Sequence, residues 1–187
     1  NSATAALHLA MLAAEVEGQE VLTPSVTFVS TNHAILHGGG RPVFCDVEPD
    51  TLNIDPREIE KKITPTTRAI LVMHYGGHAC DMDPILELAH DHGLWVIEDT
   101  AQGCGGLYRD RKLGAMGDIG CFSFQATKNL TTGDGGALAT NDAALAERVR
   151  KLRWVGISKP TWERFRPGEV RRDWMYEVEE LGFKYEM

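Results

Sequence analysis

The sequence predicts an α/β fold: a mostly parallel sheet flanked by helices. Three observations carry that expectation. Residues 68–74 (RAILVMH) and 94–98 (LWVIE) are continuous apolar runs, the pattern of strands covered on both faces. Helix-like segments with recognisable starts and stops lie between the runs. Strand and helix patterns therefore alternate, as they do when crossover helices join parallel strands.

Taken in order, residues 1–14 (NSATAALHLAMLAA) read as an alanine-rich helix that Ser2 or Thr4 can cap. Residues 20–22 are a short strand closed by Thr23 and Pro24. Residues 27–36 suit a second helix, stopped by Gly38, Gly39 and Gly40. Residues 42–47 are an apolar strand, and residues 50–54 a turn with a short extended piece. Asp55 and Pro56 open a helix to Ile63, with proline in its first turn. After the strand at 68–74, Gly76 and Gly77 turn the chain. Asp83 and Pro84 open a helix through His92, ended by Gly93. The strand at 94–98 leads into Asp99–Gln102 and then a glycine-rich loop. Residues 119–124 and 137–140 are further strands, and Asn141 or Asp142 caps a helix to about Trp154. From Gly156 onward the chain is loop-rich.

Composition narrows the class of function. At 187 residues the chain suits one domain, or one domain plus part of another. No apolar run approaches the roughly 18 residues that a membrane span needs. No secretory leader pattern is present either, so the expected location is the cytoplasm. Cys45, Cys80, Cys104 and Cys121 stand singly and read as free thiols of a reducing compartment. A net charge of −8 argues against general nucleic-acid binding, which needs many cations facing phosphates. One stretch departs from that balance: residues 148–172 hold nine Lys or Arg, including Arg171 and Arg172, against two Glu. It reads either as a solvated helix face with a loop or as a local site for a phosphorylated ligand. The first residues open directly in a helix pattern, so a fragment of a longer polypeptide is expected.

In a parallel sheet, ligands lie beyond the carboxyl ends of the strands. Asp99 and Gln102 follow one strand end, Ser123 and Lys128 another, and Thr27 and Phe28 a third. These groups match the needs of pyridoxal phosphate. Its aldehyde needs a lysine, and its ring nitrogen needs a carboxylate to stay protonated. Its phosphate needs hydroxyls and free amides at a helix start. Lys128, Asp99, Ser123 and the helix start at Ser2, Ala3 and Thr4 supply these parts, and Phe28 offers a flat face. Read singly, each has a plainer explanation: Lys128 as a solvated loop cation, Asp99 as a cap, Ser123 as a satisfied hydroxyl, Phe28 as core. Metal binding is not expected. His74 and His78 flank a turn, and Asp81 and Asp83 sit at a helix start. Gly103–Gly106 lacks the following helix of a dinucleotide site.

The segments TPSVTFVSTNHAI, RPVFCDVEPDTLNIDP, HYGGHACDMDPI, HGLWVIEDTAQGCGG, GDIGCFSFQATKNLTTGDGG and GISKPTWERF resemble the DegT/DnrJ/EryC1/StrS family of sugar-nucleotide aminotransferases. The resemblance runs over essentially the whole chain. It implies the type I, aspartate-aminotransferase-like fold and a pyridoxal-phosphate cofactor. It assigns the cofactor-anchoring lysine to Lys128, the ring-nitrogen acid to Asp99 and a partner of the cofactor hydroxyl to Gln102. Phosphate contacts fall on Ser123, Ala3 and Thr4, and the stacking aromatic on Phe28. The implied reaction moves an amino group, from glutamate by family analogy, onto a nucleotide-linked keto sugar in a homodimer with shared active sites. The other readings are a dehydratase on the same fold, which would carry histidine in place of Lys128, and a non-catalytic regulatory relative. Residues 1–157 would form the large cofactor domain, missing its N-terminal part. Residues 158–187 would begin the connection to a small domain beyond Met187. Three positions depart from the family pattern: Ala3 stands where glycine is usual, Asp134 where the common motif has glutamate, and Glu186 where asparagine or arginine is expected at a cross-subunit phosphate contact.

Overall fold

The computed structural model describes residues 1–158 and 176–185. Its centre is a six-stranded sheet in the order β2 (Arg41–Cys45), β1 (Glu20–Pro24), β3 (Thr67–Met73), β4 (Trp95–Asp99), β7 (Ile119–Ser123) and β8 (Gly136–Ala139). The first five strands are mutually parallel, and β8 joins the edge antiparallel to β7. A two-stranded ribbon, β5 (Leu107–Tyr108) with β6 (Arg111–Lys112), stands apart from the sheet.

Among the described residues, five α-helices cover the two faces: α1 (Ala3–Ala13), α2 (Val29–His37), α3 (Pro56–Lys62), α4 (Met82–His92) and α5 (Ala143–Arg153). Their ends follow from local chemistry. Ser2 Oγ accepts the Ala5 N–H at 3.1 Å, so Ser2 and not Thr4 caps α1. Asp55 caps α3 through the Arg57 amide, with Pro56 in the first turn. Asp142 caps α5 through the amides of Ala144 and Leu145. Gly93 closes α4 in the left-handed conformation, at a φ of 64°.

Strand residues alternate between two separate cores. Val21, Ala69, Leu71, Ile97, Ile119 and Cys121 face α1, α2 and α5. Leu22, Ile70, Val72 and Val96 face α3 and α4, with Ile59, Met82 and Ile85. A fully buried Leu or Ile of this kind contributes roughly 1.5–3 kcal/mol. The central strands are therefore apolar on both sides, which is why 68–74 and 94–98 read as unbroken runs.

The structure differs from the sequence expectation in detail. β4 is one residue later than expected and includes Asp99. Val47 lies outside β2 and makes an isolated bridge to Ile54. α4 starts at Met82. Within the expected glycine-rich loop lies the β5–β6 ribbon, turned by Arg109 and Asp110 at positive φ. The ribbon is clasped to the start of α4. Tyr108 donates to Asp81 at 2.6 Å, and Arg109 and Arg111 both pair with Asp83. Those two aspartates are thus engaged by the ribbon.

The segment 176–185 returns to the domain, with Phe183 and Tyr185 packed on His8 of α1. In the basic stretch, Arg148, Arg150 and Lys151 form ion pairs with Glu15, Glu147 and Glu179. That part behaves as a solvated helix face. Arg171, Arg172 and Glu186 lie outside the described residues. Among the described residues, no helix is long and apolar enough to cross a membrane.

One contact ties the sheet edge to α1. A Cβ on Gly136, the first residue of β8, would run into the backbone of Ser2 and Ala3. Gly136→Ala should therefore cost about 1–3 kcal/mol of stability in urea unfolding, the usual range for an overpacked site.

Candidate active site

The pleat of the sheet explains why distant residues meet. Each strand presents every second residue to the α1 side. Continuing that phase beyond Leu71, Ile97 and Cys121 places Met73, Asp99 and Ser123 last on that face of β3, β4 and β7. All three line a cavity of about 440 Å³. The same cavity is lined by Ala3 and Thr4 from α1, Phe28 before α2, and Gln102 and Lys128 from the loops after β4 and β7. All seven residues expected from the sequence therefore surround one space.

The first turn of α1 forms one wall. Ser2 uses its side chain on the Ala5 amide and its carbonyl on the Ala6 amide. Among the described residues, no hydrogen bond takes up the amides of Ala3 and Thr4, the first two residues of the helix. With the positive end of the helix dipole, they form a ready seat for an anion. Ala3 sits there without a left-handed φ, so alanine fits without strain. Ser123, buried at 6% exposure, lines the same cavity, and its Oγ accepts a long 3.4 Å contact from the Gln125 amide.

Asp99 is 3% exposed. Its Oδ2 accepts from Thr31 Oγ1 at 2.8 Å and its Oδ1 from the Ala101 amide at 3.1 Å. Burial pushes its carboxyl above the ordinary value, against the pull of those donors and of the nearby Lys128 charge. Lys128 is half-buried on the turn closed by its own amide to the Gln125 carbonyl. Among the described residues its ammonium has no ion-pair or hydrogen-bond partner. Gln102 Oε1 accepts from the Gly76 amide at 2.6 Å, which leaves its NH2 available to a ligand. Phe28 is 65% exposed and is not a core residue; it offers its ring to the cavity.

Two residues of this neighbourhood escaped the sequence reading. Thr31 lies in the first turn of α2, and a threonine there carries no signal until the fold sets it against Asp99. Glu98 is the other. It points away from Asp99, into the α3–α4 side, and is fully buried. It accepts from the amides of Gly114, Met116 and Gly117 and from His74 Nε2 at 3.0 Å. The Cys80 amide donates to His74 Nδ1, so Nε2 carries the proton given to Glu98. Burial opposes the Glu98 charge, but His74 and the Gly117 and Gly114 amides bring its carboxyl below the ordinary value overall. His74 is thus committed to Glu98.

Comparison with known proteins gives the chain a family. The DegT/DnrJ/EryC1/StrS aminotransferase family matches residues 1–187. The chain belongs to that family. It is 47% identical, over 188 aligned residues, to the spore coat polysaccharide biosynthesis protein SpsC of Bacillus subtilis, covering 100% of this chain and 48% of the relative. It is 43% identical to the GDP-perosamine synthase of Caulobacter vibrioides, covering 100% of the chain and 47% of that enzyme. The crystal structure of an aminotransferase from Psychrobacter cryohalolentis superposes with a TM-score of 0.91 at 36% identity, covering 100% of this chain and 47% of that one. The chain spans about half the length of the curated relatives it matches. Aminotransferases of this family depend on pyridoxal phosphate. The fold is that of these enzymes, a mostly parallel sheet between helices.

The two neighbouring carboxylates should respond to pH in opposite senses. Glu98 has a lowered value, so it stabilises the protein above the ordinary glutamate value of 4.5 and loses that contribution as pH falls through its native value. Asp99 has a raised value, so its burial costs stability once pH rises past the ordinary 3.8 and through its native value. In cofactor-free protein, Glu98→Ala should destabilise by roughly 3–5 kcal/mol at pH 7 and much less near pH 3. Asp99→Asn should stabilise at pH 7 and change little near pH 3. Denaturant titrations at the two pH values check both signs.

Proposed function

We propose that this chain is the cofactor-binding part of a pyridoxal-phosphate-dependent aminotransferase acting on a nucleotide-linked keto sugar, with glutamate as amino donor. The observation that carries the reading is the meeting of Lys128, Asp99 and the free amides of α1 around one cavity in a member of this family. The names of the GDP-perosamine synthase and the polysaccharide protein SpsC support a sugar substrate.

The residues present fit the cofactor. A buried carboxylate, a half-buried amine without a partner among the described residues, an exposed ring and an anion seat surround a volume suited to a small phosphorylated heterocycle. Bound pyridoxal phosphate supplies the electron sink that stabilises charge on a carbon losing its proton. The amides of Ala3 and Thr4, with Ser123 Oγ and Thr4 Oγ1, hold the phosphate. Asp99 holds the proton on the ring nitrogen by placing a negative charge beside it. Gln102 donates its NH2 to the ring hydroxyl, and Phe28 covers the ring face. Lys128 anchors the cofactor at rest. Its amine would also move the proton between the donor or sugar carbon and the cofactor carbon.

Residues 1–157 form the large domain in this reading, and 158–187 begin the connection to a small domain. The working unit is a cytoplasmic homodimer whose subunits share active sites. In this reading, binding of the nucleotide diphosphate is assigned to the basic residues Arg171 and Arg172. A dehydratase on the same fold would carry histidine at position 128, so lysine there favours transamination.

The full-length enzyme tests this directly. It should be yellow, its visible band should vanish with borohydride, and Lys128→Ala should lack the band and lose at least a thousandfold in kcat, the order that a missing acid–base group removes. A colourless protein after incubation with the cofactor would favour a non-catalytic relative. Replacing Arg171 and Arg172 together should raise KM for the nucleotide sugar severalfold; unchanged kinetics would remove that contact.

A further inference from the structure

We propose that Thr31, backed by Thr27, is the positioning residue that keeps the Asp99 carboxylate ionised and aimed at a protonated ring nitrogen. The inference rests on the functional reading above and adds to it two residues not assigned there. Thr31 is fully buried, and its hydroxyl donates to Asp99 Oδ2 at 2.8 Å. Thr27 Oγ1 donates to Thr31 Oγ1, also at 2.8 Å. The two hydroxyls thus form a relay with one direction: Thr27 gives to Thr31, and Thr31 gives to the carboxylate. Thr31 gives its one proton to Asp99 and has none left for a backbone carbonyl of its own helix, while Thr27 Oγ1 also lies 3.0 Å from Met73 Sδ, a weak acceptor that shares its single proton.

The direction matters because a carboxylate is a pure acceptor and a protonated carboxyl is not. An O–H aimed at Oδ2 favours the charged form, and the Thr27 dipole behind it strengthens that donor. Thr31 lies in the first turn of α2, so the positive end of that helix acts in the same sense. These donors work against burial, the largest influence on this group. The other groups bearing on Asp99 are the Lys128 ammonium, the His74 imidazole and the buried Cys121 thiol on β7. Of these, Lys128 is the group the cofactor engages and His74 is committed to Glu98. Thr31 is therefore the side chain whose hydrogen bond to Asp99 persists through the reaction, and the Ala101 amide is its backbone counterpart. Position is served as well as charge: one donor on each oxygen fixes the rotation of the carboxylate.

The test uses the full-length apoenzyme and added pyridoxal phosphate. Thr31→Val removes the donor at nearly constant shape. It should raise the cofactor dissociation constant about tenfold, the size of one hydrogen bond to a charged group. The acid limb of cofactor affinity should move up by about one pH unit. Thr31→Ser should restore both, and Thr27→Val should give a smaller shift in the same direction. In an Asp99→Asn background the Thr31→Val effect should shrink below about twofold, because the two act through one another. A Thr31→Val protein with unchanged affinity and pH profile overturns the inference, and so does an effect that persists undiminished beside Asp99→Asn. If the valine prevents folding, Thr31→Ala and Thr27→Val carry the same two readouts. A Lys128→Ala protein that kept a borohydride-sensitive band would remove the functional reading itself, and this inference with it.

Discussion

Two successive carboxylates end β4, and both are buried. An ionised carboxylate taken out of water is tolerated only where hydrogen bonds and opposite charge replace its hydration. The pleat sends Glu98 and Asp99 to opposite faces, so each has to be supplied separately. Glu98 receives three backbone amides and the His74 imidazole, and in return it holds residues 114–117 against the sheet. Asp99 receives only one amide and one hydroxyl. The difference sorts the pair: Glu98 is fully satisfied and structural, whereas Asp99 is left under-supplied at the edge of a cavity. That shortfall is what a cationic ring nitrogen would make good.

The same arrangement shows how the fold delivers a site without local strain at the reacting groups. Parallel strands end together, so the last residues in phase with the α1 core meet at one rim. The start of α1 reaches that rim because Gly136 lets β8 pass against Ser2 and Ala3. An anion seat, a buried acid and a lysine from three different parts of the chain thereby line one cavity. Holding Asp99 charged before a ligand arrives costs stability, the common exchange between a prepared site and a stable one.

Much of this was legible in the sequence, for identifiable reasons. The runs at 68–74 and 94–98 showed central strands because both of their faces are covered. Pro56, Gly93 and Asp142 marked helix ends through their backbone chemistry. The grouping of Ala3, Thr4, Phe28, Asp99, Gln102, Ser123 and Lys128 followed from strand ends and from the family resemblance together. Phe28 shows the limit of composition alone, since an isolated phenylalanine reads as core and this one is exposed. Thr31 and Glu98 were invisible because their roles depend on partners 68 and 16–24 positions away. The β5–β6 ribbon was hidden by strands of two residues and by a turn of Arg109 and Asp110 where glycine would have been the usual sign.

The proposed transamination requires one amine to be the cofactor's anchor. Borohydride reduction of the full-length holoenzyme, followed by proteolysis and peptide mass mapping, reports that amine by position. A pyridoxyl group on Lys128, in the peptide that follows β7, is the predicted result. A pyridoxyl group on any other lysine, with Lys128 unmodified, would contradict it.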